Sequence, residues 1–489
     1  MSYQISIWPA AAVLVSLLGA IPIMLSDRSP NLRESWTLLI ALSKVLIVVS
    51  LLPTVLAGGG FQFTIAEVIP GVPIALRVDA MGIFFALVAS ILWLFTSIYS
   101  IGYMRALDEH CQTRYFASFA VAISATLGVA FSANLLTLYL FYEMLSLSTY
   151  PLVTHHQDDE ARQSGRKYLT YILGTSIGLA LPAMLIVYHL TGTLDFQVGG
   201  IMADSGASPQ TLALLLVLFL FGFAKAALMP FHGWLPAAMV APTPVSAFLH
   251  GVAVVKVGVF SILRVIFHIF GPEQLLQANL GWIITTLASV TILVASLVAL
   301  TQDNLKRRLA YSTIGQLSYM VLGAGMLSAV GMTGGLLHVA MHAFGKITLF
   351  FCAGAIYVAA GKKYISQMDG LGKRMPITYL AFFLGSLSII GMPPLGGFIS
   401  KWNLAFGAIQ SGHLVLLVVL LVSSLLNAFY FFPIVYRGFF LPTPEGEAGG
   451  IKEAPLFCLV PLAMTAICSL ILFFWPTVFY RLARLALGL

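Results

Sequence analysis

Six ionisable residues lie in the middle of long apolar runs, where a membrane-spanning helix keeps water away from them. They are Glu143, Lys225, Lys256, His338, Lys346 and Lys401. A charge at the bilayer centre costs at least about 2.5 kcal/mol, so such residues are rare and usually functional. Each of these side chains can gain or lose a proton. A row of them predicts a pathway for protons.

A stripe of three ionisable residues, two of them from this set, adds to the prediction. His338, His342 and Lys346 follow one another at intervals of four residues, so they share one face of a helix. Histidine suits a proton relay because its unperturbed pKa is about 6.5 and either ring nitrogen can receive a proton. A lysine buried without a partner holds its proton less tightly than one in water. We expect the stripe to be part of the relay, although each histidine alone is as compatible with an ordinary core position.

The composition indicates that these residues lie in a membrane. The chain is 59% hydrophobic and 9% charged, with a mean hydropathy of +0.96, against about 25% charged in soluble domains. Apolar windows of about 20 residues can be placed about fourteen times between Ile7 and Arg481. Backbone hydrogen bonding in lipid then requires a helical bundle. The sequence predicts an all-α integral membrane protein with a single polytopic domain over residues 1–489. Its first apolar window is expected to be a membrane span rather than a cleaved signal peptide.

The basic residues predict the orientation, because Lys and Arg concentrate in cytoplasmic connections. The even-numbered connections hold little beyond Arg77. The odd-numbered connections hold most of the basic residues, namely Arg28, Arg33, Arg105, Arg114, Arg162, Arg166, Lys167, Lys306, Arg307, Arg308, Lys362, Lys363, Lys373, Arg374, Arg437 and Lys452. Both termini are therefore expected on the non-cytoplasmic side of the inner (plasma) membrane. This distribution also accounts for the net charge of +7 without a nucleic-acid partner.

Several classes of site have no counterpart in the sequence. Cys111, Cys352, Cys458 and Cys468 are scattered and show none of the spacings typical of zinc, haem or iron–sulfur ligands. A phosphate-binding glycine loop, a nucleophile elbow and an H-E-x-x-H motif are missing as well. We therefore predict no bound cofactor or metal and no redox or hydrolytic site in this chain. Membership of a larger proton-translocating oxidoreductase stays open.

Two of the predicted spans are interrupted by helix breakers close to a lysine. In the first, Lys225 is followed by Pro230 and three further prolines in GFAKAALMPFHGWLPAAMVAPTPVSAFLHG. In the second, GMPPLGGFIS directly precedes Lys401. Proline removes a helical hydrogen bond, and the carbonyls that it frees need water or polar partners. Paired broken helices are the best sequence indication of an ion path in a transporter.

Five stretches together identify a family. In order along the chain they are YEMLSLSTYPLV, FAKAALMPFHGWLPAAMVAPTPVSAFLHGVAVVKVGVF, DNLKRRLAYSTIGQLSYMVLG, HVAMHAFGKITLFFCAGAI and GMPPLGGFISKW. From about Asp79 to Tyr436 the sequence resembles the proton-conducting antiporter-like subunits of complex I, group 4 membrane-bound hydrogenases and Mrp-type sodium/proton antiporters. This resemblance implies fourteen helices with two inverted five-helix repeats, in which helices 7 and 12 are broken. The expected segments are 1–110 (helices 1–3), 111–270 (first repeat), 271–440 (second repeat) and 441–489 (helix 14).

The resemblance also implies roles for individual residues. Glu143 and Lys225 match the glutamate–lysine pair, and Lys401 matches the terminal protonatable residue. The central relay is formed by Lys256, His250, His338, His342 and Lys346. A carboxylate about 4 Å from a lysine is worth roughly 4 kcal/mol at an effective dielectric of 20. Opening or closing the Glu143–Lys225 pair would therefore switch the protonation of Lys225. Asp79, Asp303 and Lys306 to Arg308 are interpreted first as capping residues or anchors.

Three functions remain open on the sequence. The leading one is a proton-translocating subunit of a multisubunit cation (sodium)/proton antiporter, with other membrane subunits, lipid, protons and sodium as partners. The second is the pumping subunit of a redox-driven complex, and the third is an energising subunit for uptake of inorganic carbon. Lys401 in place of a glutamate argues against the central complex I component. The end at Leu489 leaves no room for the lateral helix of the distal complex I component or of the large Mrp A protein. The remaining fits are the Mrp D protein, which leads, the equivalent component of a membrane-bound hydrogenase and the proximal antiporter-like component of complex I.

Overall fold

The computed structural model describes residues 2–203, 205–443 and 450–489, so residues 444–449 of the predicted segment 441–489 lie outside the described residues. The strands are Ser2–Ile5 (β1), Gly59–Ile69 (β2) and Val72–Val78 (β3). Helices in the first half are Trp8–Leu25 (α1), Pro30–Leu56 (α2), Ala80–Ala106 (α3), Gln112–Ala130 (α4), Leu135–Val153 (α5), Asp159–Thr175 (α6), Leu181–Thr191 (α7), Pro209–Gly222 (α8), Trp234–Ala237 (α9), Thr243–Phe248 (α10) and Val254–Arg264 (α11). Helices in the second half are Pro272–Gln277 (α12), Gly281–Thr301 (α13), Leu305–Gly325 (α14), Ala329–Ala360 (α15), Leu371–Arg374 (α16), Pro376–Ile390 (α17), Gly396–Gln410 (α18), Leu414–Phe440 (α19), Leu456–Phe474 (α20) and Thr477–Ala486 (α21).

Helices dominate the chain, as the composition predicts. Ten helical segments of the described ranges are long and apolar enough to cross a membrane, and α8 and α17 are apolar but shorter. Helices α5 and α14 are not among the ten, because Glu143 and the basic run Lys306 to Arg308 make them more polar. The count of fourteen is therefore higher than length and apolarity alone support.

Both predicted helix breaks are present. Helix α8 ends at Gly222, and Lys225 lies in a 3₁₀ turn, Ala224–Ala226, before irregular backbone leads to α9. The second break separates α17 from α18, beginning at Gly391 with a left-handed φ of 89°. The Met229–Pro230 and Pro393–Pro394 bonds of the two breaks are cis.

Two buried helical segments form the centre of the bundle. Helix α15 is buried on every side from Gly331 to Ile356, and it packs against α10, α14, α17, α18 and α20. The other segment, Thr243–Phe270, contains α10 and α11 joined by a π-helical stretch, Leu249–Ala253. A helix that is apolar all round belongs inside a bundle, so charged residues on these two segments are shielded from lipid.

One element departs from the all-α expectation. Strands β2 and β3 form an antiparallel hairpin between α2 and α3, and β1 pairs with β2 in parallel. The hairpin turns at Gly71, whose φ of 77° suits glycine. Apolar windows of membrane-crossing length do not predict this sheet, because its strands are shorter than such a window. Asp79 follows β3 and caps α3 by accepting a hydrogen bond from Gly82 N at 2.7 Å.

Candidate functional site

Lys225 is fully buried at the first break and is held by α5. Its Nζ donates to Tyr142 O at 2.7 Å and to Ser146 Oγ at 2.7 Å. The ammonium also lies 3.1 Å from the centre of the Tyr142 ring. Both oxygens are uncharged, so this site holds the lysine by dipoles and by a cation–π contact. Lys225 reaches α5 from the 3₁₀ turn Ala224–Ala226, which follows the end of α8 at Gly222.

Glu143 lies beside Lys225, but the two are joined through Ser146 rather than in direct contact. Glu143 Oε2 accepts from Ser146 Oγ at 3.2 Å, and the same hydroxyl oxygen lies 2.7 Å from Lys225 Nζ. The other carboxylate oxygen, Oε1, is buried without a hydrogen-bond partner among the described residues. The structure places the two residues close together with Ser146 between them, and the sequence does not predict this serine.

A glycine on α11 allows the first break to approach the centre of the bundle. A Cβ at Gly258 would overlap the main chain of Lys225 and Ala226. Only a glycine leaves room for this approach. Gly258 is two residues from Lys256, so the first break and the central helix are in direct backbone contact.

Lys256 and His342 form the central contact of the site. Lys256 Nζ lies 2.7 Å from His342 Nδ1, and both side chains are buried. Lys256 Nζ also contacts Gly251 O, a carbonyl of the π-helical stretch Leu249–Ala253. A π-helical turn disturbs the regular ladder of helical hydrogen bonds, so this carbonyl is available to the lysine.

The histidine stripe continues the contact towards the second break. The rings of His342 and His338 have centroids 5.7 Å apart. His338 Nδ1 lies 2.8 Å from Ser400 Oγ on α18, and its Nε2 lies 2.9 Å from Gln316 Oε1 on α14. A neutral histidine can donate only one of these bonds. The amide oxygen of Gln316 accepts only, so in this arrangement Nε2 carries the proton and Nδ1 accepts from Ser400.

Lys401 lies at the second break and is held in the same way as Lys225. Its Nζ donates to Ile390 O at 3.1 Å, the last carbonyl of α17, and to Ser424 Oγ at 3.0 Å. The ammonium is 4.7 Å from the Tyr319 ring centre, and that ring is 5.5 Å from the ring of His338. Tyr319 thus lies between the stripe and Lys401.

Lys346 forms a side branch of the stripe. Its Nζ donates to Ser312 Oγ at 2.7 Å, and Tyr430 OH donates to the same oxygen at 2.9 Å. Tyr430 also contacts Asn427 Oδ1. The branch is buried, and each polar link in it is neutral apart from the lysine itself.

His250 is not joined to this network. Both of its ring nitrogens are buried without a hydrogen-bond partner among the described residues, and its ring centroid is 5.7 Å from that of Trp234. Between Lys225 and Lys256 the contact runs through backbone at Gly258, and no hydrogen bond links the two side chains in the described part of the chain. His250 lies six residues before Lys256, in the π-helical stretch that precedes α11.

The chain matches a family model described as NADH:quinone oxidoreductase/Mrp antiporter, TM, over residues 132–427, which is more than half of its length. The chain belongs to this family. The resemblance given by the five sequence stretches is therefore confirmed, and all of the expected site residues lie within the matched residues.

Relatives in this family come from two kinds of complex. The chain is 32% identical over 442 residues to NADH-quinone oxidoreductase subunit N of Desulforudis audaxviator (strain MP104C), covering 87% of this chain and 86% of that one. It is also 32% identical over 409 residues to the A/B component of a probable K⁺/H⁺ antiporter of Rhizobium meliloti (strain 1021), covering 82% of this chain but 40% of the relative. For three other relatives the chain spans only 55 to 56% of their length.

A solved structure supports the fold independently. A chain of the Mrp complex from Dietzia sp. DQ12-45-1b superposes with a TM-score of 0.87 at 23% identity, covering 98% of this chain and 97% of that chain. At this identity the similarity establishes the fold alone. The chain is thus a multi-pass membrane protein of the antiporter-like kind.

Sequence reasoning missed one buried lysine. Lys44 on α2 is fully buried, its Nζ has no hydrogen-bond partner among the described residues, and it lies 5.8 Å from the Trp93 ring centre. The signal was available, because Lys44 interrupts the apolar run WTLLIALSKVLIVVSLL. The hydroxyl and amide partners of the site carry no comparable signal, since serine and tyrosine are common in apolar helices.

Residues interpreted as structural have structural contacts. Asp79 receives two hydrogen bonds from the buried Arg264, at 2.6 and 2.7 Å, in addition to its capping bond. Asp303 accepts from Ser366 N and Ser366 Oγ. Lys306 donates to Ala241 O at 2.6 Å and lines a cavity of about 700 Å³, together with His232 and other polar residues.

Proposed function

We propose that this chain is the proton-translocating subunit of a multisubunit cation (sodium)/proton antiporter, with the Mrp D protein as the leading fit. The observation that carries the proposal is the direct contact of Lys256 with His342 at the centre of the bundle. Around it, proton-exchanging side chains extend from Glu143 near the first break to Lys401 at the second. No carboxylate of the described residues hydrogen-bonds to Lys225, Lys256, Lys346 or Lys401.

The proposed pathway has two parts. In the first, Glu143, Ser146 and Lys225 form a gate in which a movement of the broken segment alters the distance between carboxylate and ammonium. In the second, Lys256, His342 and His338 pass the proton to Lys401, with Lys346 as a side branch. Closing the gate holds the proton on Lys225, and opening it sends the proton towards Lys256. In this proposal, water molecules bridge the interval between the side chains of Lys225 and Lys256, and His250 positions them.

The topology belongs to the same proposal. Fourteen spans, two inverted five-helix repeats over 111–270 and 271–440, and both termini on the non-cytoplasmic side fit the two breaks, which lie at comparable places in the two halves. Basic residues from several connections line the same cavity as Lys306. This supports a common cytoplasmic side for these connections. An inner (plasma) membrane location is part of the same proposal.

A redox-driven complex is the second candidate function. It is favoured by the NADH-quinone oxidoreductase relative, which is matched over most of both chains. In that case electrons carried by separate subunits would drive the same relay. The two candidates differ in their partners, which decide the source of energy.

Transport by a charge-neutral variant tests the pathway. In membrane vesicles with the complete complex, Glu143→Gln should abolish sodium-dependent proton movement while leaving assembly intact. Glu67→Gln is the matched control, because Glu67 is an exposed carboxylate on β2. Normal transport in the Glu143 variant would remove the gate from the mechanism.

Purification of the tagged chain in mild detergent, with mass spectrometry of the accompanying proteins, separates the candidates. Small membrane subunits alone would support the antiporter. Iron–sulfur, flavin or nickel–iron subunits would support the redox complex, and a soluble carbon-processing partner would support the third function open on the sequence.

A further inference from the structure

A second cluster of ionisable side chains lies outside the proton pathway, at one end of the bundle. Glu109 and His110 belong to the connection between α3 and α4, and His155 and His156 belong to the connection between α5 and α6. Glu109 Oε2 lies 3.8 Å from His110 Nδ1, from His155 Nε2 and from His156 Nδ1. These separations are too long for hydrogen bonds. The four side chains therefore converge on one point without bonding to one another.

His155 is the most informative member of the cluster. Its side chain is fully buried, with 0% exposure, yet neither ring nitrogen has a hydrogen-bond partner among the described residues. Buried polar atoms in proteins nearly always have a partner. The Nε2 atom of this buried imidazole lies 3.8 Å from Glu109 Oε2, and its ring centroid lies 4.8 Å from that of His110.

The spacing of the cluster fits a metal ion. One ligand atom each from Glu109, His110 and His155 lies within 4.8 Å of the other two. In a tetrahedral zinc site with metal–ligand distances of about 2.0–2.1 Å, the ligands are about 3.3–3.4 Å apart. The separations of 3.8 Å from Glu109 Oε2, and of at most 4.8 Å within the set, must contract by roughly 0.4 to 1.5 Å to reach that spacing. His110, whose side chain is 48% exposed, has room to move towards the other ligands.

The backbone holds the two connections in place. Gln112 Nε2 donates to Glu109 O at 3.0 Å, and Arg114 donates to His155 O at 3.0 Å. Cys111 adopts a left-handed φ of 49° at the start of α4, and it is not among the converging ligand atoms. The ligands are thus presented by fixed turns rather than by free loops.

We propose that Glu109, His110 and His155 bind a divalent transition-metal ion of the Zn²⁺ type. Imidazole nitrogens and one carboxylate form a donor set that such ions prefer. His156 is within reach as a fourth ligand, and water can take that position otherwise. The ion joins the α3–α4 connection to the α5–α6 connection at the edge of the cavity that Glu109 and His156 help to line.

Binding of Zn²⁺ to the full chain, purified in detergent with its accompanying subunits and freed of metal by a chelator, tests this proposal. Titration calorimetry should reveal one tight site per chain in the wild type. His110→Asn should weaken it by at least about 100-fold, because even residues that only orient a ligand are worth about 10–100-fold. His413→Asn, which changes an exposed histidine outside the cluster, should leave the site unchanged.

Two further measurements keep the test decisive. Glu109→Gln removes the negative charge without changing the shape, so it replaces the His110 variant if that variant does not assemble. Co²⁺ should give the visible absorption of a tetrahedral nitrogen and oxygen site in the wild type and lose it in both cluster variants. The proposal is overturned if the wild type has no tight site, if both cluster variants retain it, or if His413→Asn loses it equally.

Discussion

His342 and His250 provide a sharp comparison, because both are buried histidines that the sequence places in the relay. Only His342 contacts a charged group, with its Nδ1 2.7 Å from Lys256 Nζ. His250 has no hydrogen-bond partner among the described residues. We predict that His342→Asn stops coupled proton transport. His250→Asn should have little effect, because an asparagine can also position the water proposed between the side chains of Lys225 and Lys256.

The magnitude follows from what asparagine keeps and what it loses. An asparagine at position 342 can still accept a hydrogen bond from Lys256, so most of the bond to a charged group, worth about 1.5–3 kcal/mol, is retained for folding. It cannot take up and release a proton. A positioned proton-transfer group contributes about 10²–10⁴-fold in rate, so transport should fall by at least about 100-fold. For His250→Asn we expect a loss well below the lower end of that range.

Proteoliposomes that contain the complete complex and a trapped pH-sensitive dye give the assay. Sodium or an electron donor starts proton movement, according to the partners found, and the amount of co-purifying subunits controls for assembly. Equal losses in the two variants would refute the reasoning from contact geometry. A larger loss in the His250 variant would show that the relay runs through a different conformation.

Three further predictions concern packing and charge. Gly258→Ala should lower transport and the melting temperature of the complex, because a Cβ there overlaps the first break. Gly174→Ala on α6 is the control and should lower neither, because its Cβ meets open space. Helix propensity alone predicts that Gly258→Ala stabilises the complex, and that result would contradict the close approach. Arg264→Met should destabilise the protein by about 3–5 kcal/mol, because Asp79 loses its partner. Thermal unfolding in detergent would measure this loss, and an unchanged melting temperature would show that the Arg264–Asp79 pair does not stabilise the fold. Lys44→Met should leave transport unchanged and raise the melting temperature, since it removes a buried charge without a hydrogen-bond partner among the described residues; lost transport would instead add Lys44 to the pathway.

Much of this site was predictable because charges in apolar runs stand out. The two breaks follow from their prolines and glycines, and the spacing of His338, His342 and Lys346 gives the shared face. Spacing does not reveal which neighbouring helix that face meets. The contact of His342 with Lys256 and the isolation of His250 depend on how α10 and the π-helical stretch Leu249–Ala253 pack against α15. The histidines beside Glu109 come from two connections that only the fold brings together.

The lysines of the proposed pathway share a mode of binding that suits a proton carrier. Lys225, Lys256 and Lys401 each contact a main-chain carbonyl, and hydroxyls or an imidazole complete their partners. A hydrogen bond to a charged group is worth about 1.5–3 kcal/mol, whereas a carboxylate about 4 Å away adds roughly 4 kcal/mol at an effective dielectric of 20. Neutral partners therefore hold the ammonium in an apolar bundle without fixing the proton on it. Glu143 is the exception beside Lys225, so in the proposed mechanism a change in that one separation sets the direction in which the proton leaves.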